Sequence, residues 1–194
     1  LMKKGLKNRR GYQLVSLPEI NVTPKEGSWK KQFQPVVELA ENEKIKCINA
    51  LDTLEMNMSR VYSNIYNLEV FASMGLLMKS HCDVVIALGE IAEACDKASD
   101  AQKEGRNKDV ADNLDKMASL AENVWKEYNA TYEDLKIIWE KARYPKGEDG
   151  YMMDTQTNYL AGWTSDLSYL ILAEKQLDFS GYAKKLRQLA DNYR

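Results

Sequence analysis

Residues 110–142 read VADNLDKMASLAENVWKEYNATYEDLKIIWEKA. Apolar side chains recur there at alternating steps of three and four, at Val110, Leu114, Met117, Ala121, Val124, Tyr128, Leu135, Ile138 and Ala142, with Thr131 as the interruption. That spacing predicts one long helix with a continuous apolar seam. At about 1.5 Å per residue it would run roughly 50 Å, and its seam can be buried only against partners of similar length. The expected fold is all-α: an antiparallel bundle of about four long helices plus a short C-terminal helix, preceded by an extended N-terminal lead-in.

Working outward, residues 1–28 carry glycines, prolines and one short apolar stretch, Tyr12 to Pro18, and read as a lead-in or linker. Residues 29–194 then form the helical domain, with Ser28 in an N-cap position before Trp29. The first helix is expected from about Trp29 to about Met58, with Pro35 tolerable near its start or as a kink. A second follows the Tyr62-Ser63-Asn64 region and frays near Gly105. Asp109 is the expected cap of the third, which Tyr144-Pro145-Lys146-Gly147 must end. A fourth is expected to carry Leu160, Trp163, Leu167, Leu170, Ile171 and Leu177, and a last short helix follows Asp178.

The 194 residues suffice for one domain with a core of its own. With 27 basic and 29 acidic side chains, the net charge of −2 offers no general attraction to nucleic acid or an anionic membrane. Lys3, Lys4, Lys7, Arg9 and Arg10 form a basic arm, which the neutral remainder marks as a solvated tail or interdomain linker. No run approaches the roughly 20 apolar residues needed to cross a bilayer, so no membrane span is expected. The chain opens on Leu1, as expected of a processed product or a piece of a longer polypeptide.

Chemistry-bearing residues are sparse. His81 is the one histidine, which leaves a metal site short of ligands and makes a structural role the expected one; no cofactor, metal ligand or catalytic residue is assigned. Cys47, Cys82 and Cys95 form no Cys-x-x-Cys pair and lie in helical patterns, as buried reduced thiols do; one disulfide is compatible with their spacing and not required by it. Carboxylate pairs such as Glu133-Asp134 and Glu148-Asp149 fit solvated faces better than acid/base dyads. Trp125, Tyr128, Tyr132 and Trp139 share one helix and should be mostly core, while Tyr144 and Tyr151 flank the loop that follows. Aromatic rings at a loop edge can stack on sugar rings, with Arg143 donating to hydroxyls or a carboxylate. Trp139, Arg143, Tyr144 and Tyr151 are therefore the candidate contacts with a sugar or a neighbouring domain.

Leu135 to Pro145, LKIIWEKARYP, resembles the end of a helix in the carboxy-terminal regions of β-N-acetylhexosaminidases of glycoside hydrolase family 20, and residues 67–81 resemble the long helix that precedes it there. The family acts through a (β/α)₈ barrel with an adjacent Asp-Glu pair. This sequence contains neither that dipeptide nor an alternating strand-helix pattern. The resemblance thus implies a noncatalytic helical C-terminal domain of an exported bacterial glycoside hydrolase, periplasmic or extracellular. Its implied partners are the catalytic barrel of the same polypeptide or a second subunit, with carbohydrate at the rim of the sugar site. The alternative is a free-standing helical module that binds a partner helix or peptide.

Overall fold

A computed structural model describes residues 16–20, 28–141 and 177–194. The described residues are all-helical and contain no strand. In chain order the helices are α1 (Ser28–Met58), α2 (Ile65–Lys103), α3 (Asn107–Glu140) and α4 (Phe179–Asp191).

Three long helices form the body, with α2 in the middle. It packs against α1 on one side and α3 on the other, and α4 lies on α3. The pairs run antiparallel. Val37 of α1 meets Gly89 of α2 while Leu51 meets Gly75. Glu69 of α2 reaches Lys141 just beyond α3, and Trp125 and Arg187 fix α4 along the first half of α3 through Phe179 and Glu122.

The seam of α3 is buried as its spacing predicts. Val110, Leu114, Met117, Ala121, Val124, Tyr128 and Leu135 are all core, and Ile138 is packed at its edge. At the interruption, half-buried Thr131 bonds to the Glu127 carbonyl within its own helix, and Tyr132 takes the buried place. Val84, Leu88 and Ile91 from α2 and Phe179 and Leu186 from α4 are among the other fully buried side chains. Each such side chain contributes about 1.5–3 kcal/mol by leaving water.

The turn between α2 and α3 has a specific cause. Gly105 adopts φ 71°, and its N–H reaches the Gln102 carbonyl at 3.0 Å while Arg106 N–H reaches the Ala101 carbonyl at 2.9 Å. This pair of bonds closes a Schellman motif, which glycine adopts without a Cβ penalty. Two helix starts differ from expectation. Arg106, not Asp109, is the N-cap of α3; Asp109 sits in the first turn, where its carboxylate complements the helix dipole and pairs with Arg106. Ser28 is the first residue of α1 instead of a cap before it, and Pro35 lies inside that helix.

The described part of the lead-in lies on the bundle itself. Ser16 accepts a 2.7 Å hydrogen bond from the Trp29 indole N–H, Leu17 and Ile20 pack against the core, and the Glu19 carbonyl accepts from the Cys95 thiol. Helix α2 is long and apolar enough to cross a membrane by length and composition, contrary to the expectation that no run would be. Its central place accounts for only part of this: α1 and α3 both pack on it, but just 28% of its apolar window is buried. The proposed fourth helix, Leu160 to Ile171, falls outside the described residues; Leu177 is buried.

Candidate functional site

The four candidate contact residues are not brought together within the described part of the molecule. Trp139 lies in the last turn of α3 and its side chain is not described; Arg143, Tyr144 and Tyr151 lie outside the described residues. What the structure does define is the end of the bundle from which they continue. There Lys141 Nζ meets Glu69 at 3.3 Å, tying the end of α3 to the first turns of α2. Ile137 stands 60% exposed beside it, and Ile65 is exposed at the start of α2.

Other predicted aromatics behave as core. Tyr128 and Tyr132 are buried, and Trp125 stacks on Phe179 at 5.8 Å between ring centroids, locking α4 onto α3. His81 faces Tyr128, with ring centroids 5.1 Å apart and the Tyr128 hydroxyl 3.5 Å from Nε2. Burial holds His81 down to about pKa 4 and pushes the Tyr128 hydroxyl up to about 12. At neutral pH both are uncharged, as a packing pair requires.

A polar cluster that the sequence did not single out joins α1 to α2. Asp83 accepts from Lys44 Nζ at 2.6 Å and from Lys79 Nζ at 2.8 Å, one lysine on each carboxylate oxygen. Burial alone would raise the Asp83 pKa, but hydrogen bonds from the two ammonium groups overcome it and the carboxyl lies below its ordinary range. A carboxylate so held is a poor general base. The cluster lines part of an open groove of about 310 Å³ between α2 and α3, together with Ala87, Val124, Glu90 and Glu127. The four-residue spacing of Lys79 and Asp83 is visible in the sequence; the approach of Lys44 depends on the register of α1 and is not.

Among the described residues no group of three His, Cys, Asp or Glu side chains is placed to hold a metal ion. Apolar side chains, in contrast, are conspicuous at the surface. Phe71 and Met78, two turns apart on α2, are each 59% exposed, and half-buried Met74 and Val85 continue the same row. The arrangement is one of packing faces and ion pairs. No family model, curated protein or solved structure matches the chain.

Proposed function

We propose that this chain is a noncatalytic helical domain of an exported bacterial glycoside hydrolase resembling the β-N-acetylhexosaminidases, and that it packs on the catalytic barrel of the same polypeptide or on a second subunit. The observation that carries the packing role is the second apolar row of α2. Val70, Leu77, Val84, Leu88 and Ile91 supply a buried face, yet Phe71 and Met78 leave large apolar surface in water on another. A helix apolar on two faces is built to be covered on both. The enzyme context comes from the likeness at Leu135 to Pro145, and the last turn of α3 is where the chain would approach the rim of a sugar site.

Two measurements test this reading. The purified chain should not hydrolyse an aryl N-acetylglucosaminide, and turnover by contaminant-free protein would overturn the noncatalytic role. The coding sequence directly upstream of Leu1 should specify a (β/α)₈ barrel with an adjacent Asp-Glu pair. A start codon or signal peptide there would instead favour the free-standing interaction module.

A further inference from the structure

Two of the three thiols belong to the contact between α1 and α2, and helix register brings them to one level. Gly75, Cys82 and Gly89 recur every seven residues on α2 and so share a face. Val37, Lys44 and Leu51 do the same on α1. The two rows meet in antiparallel order. A Cβ on Gly89 would stand 3.3 Å from both γ-methyls of Val37, and one on Gly75 would stand 3.1 Å from a δ-methyl of Leu51. Midway between them, Lys44 reaches Asp83, the neighbour of Cys82, at 2.6 Å.

Cys82 therefore faces the turn of α1 that begins at Lys44, and Cys47 is on that turn. Glycine contacts on both sides favour the short end of helix separations, about 8 Å between axes. With Cα atoms at a radius of about 2.3 Å, facing positions lie only a few ångströms apart. Cys47 is three residues beyond Lys44, the position that faces Cys82, and the added axial offset of about 4.5 Å brings the pair close to the roughly 7 Å that a disulfide permits. Both thiols are free and half-buried, whereas Cys95 is buried on the part of α2 that the lead-in covers. Burial is the main cause that raises the Cys82 pKa, and the field of Cys47 adds to it, as expected of thiols close together.

We infer that Cys47 and Cys82 form an intramolecular disulfide that staples α1 to α2 when the protein meets a small disulfide oxidant such as oxidised glutathione. One protein thiolate attacks a glutathione sulfur, forms a mixed disulfide and releases one glutathione thiolate. The second then attacks the protein-side sulfur and releases the other. Two protein thiols lose two protons and two electrons, and one glutathione disulfide becomes two thiols. The raised Cys82 pKa makes closure faster as pH rises above neutral.

The test incubates the folded full chain with oxidised glutathione, followed by peptide mapping without reduction. A peptide linking residues 47 and 82 is expected, with an unfolding equilibrium constant lowered by about 100-fold and restored by dithiothreitol. Cys47→Ser, verified as helical by circular dichroism, should show neither the link nor the shift. The inference is overturned by glutathione adducts that never close, by a bond that uses Cys95, by disulfide-linked dimers, or by the same yield of the link in denaturant as in the folded protein.

Discussion

The Tyr128 hydroxyl lies 3.5 Å from Nε2 of His81 across the α2–α3 interface, with His81 neutral at physiological pH because burial holds its pKa near 4. The unfolded chain restores the ordinary value near 6.5. The unfolded state therefore binds a proton more readily, so the contribution of His81 is complete above pH 6.5 and is lost as pH falls toward 4. His81→Gln should shrink the stability difference between pH 7 and pH 4.5 by about 2 kcal/mol, each pKa unit being worth about 1.4 kcal/mol. Urea unfolding of both proteins at the two pH values measures it, and equal acid sensitivity would reject the assignment.

The two glycines of the α1–α2 contact should respond to alanine with opposite signs. At both sites alanine gains about 1 kcal/mol of helix propensity. At Gly89 the new methyl would press on both γ-carbons of Val37, a buried β-branched side chain with little rotamer freedom. At Gly75 it meets the end of half-buried Leu51, which can turn aside. Gly89→Ala should destabilise by about 1 kcal/mol net, and Gly75→Ala should be neutral or stabilise by up to about 1 kcal/mol. Thermal unfolding of the two variants distinguishes the cases; the same sign at both positions would mean that the contact is looser than these distances imply.

The sequence makes some of this molecule legible because local physics fixes it. The α3 seam, the turn at Gly105 and the start of α4 after Asp178 follow from periodicity, a left-handed glycine and a capping carboxylate, none of which needs a distant partner. Asp109 shows the limit of that reading: a good capping residue lies three positions inside a helix whose start is set by the Schellman turn before it. The Lys44–Asp83–Lys79 cluster and the Cys47–Cys82 facing are tertiary, created by the antiparallel register of two helices that the sequence presents separately. The exposure of Phe71 and Met78 was hidden for the same reason. Apolar periodicity tells which residues seek cover, but not which of two apolar faces receives it.

Helix α4 depends on a cap with no room to spare. Asp178 Oδ1 accepts the Gly181 N–H at 2.8 Å, and a Cβ at residue 181 would collide with the same carboxylate. Asp178→Ala should cost about 1 kcal/mol through loss of the cap. Gly181→Ala, which propensity alone would favour, should lose most of its gain by expelling the carboxylate. In the double variant the alanine at 181 meets no carboxylate, so the two effects should not add. A double-mutant cycle in urea checks the coupling, and strict additivity would show that a Cβ at residue 181 does not disturb the cap.

Tyr182 presents the reverse case, a buried polar atom that stability does not use. Its hydroxyl has no hydrogen-bond partner among the described residues, while its ring sits in the core of α4 beside Phe179, Ala183 and Leu186. Burial is the main cause of its raised pKa, which keeps the phenol protonated at neutral pH. An unsatisfied buried hydroxyl costs about 1–3 kcal/mol relative to one that is bonded. Tyr182→Phe removes that group and keeps the ring, so it should leave stability unchanged or raise it by about 1 kcal/mol. Tyr182→Ala, which empties the site, should lower it by about 3–5 kcal/mol. Urea unfolding of the two variants separates ring from hydroxyl, and a clear loss in Tyr182→Phe would require a partner for the hydroxyl in solution.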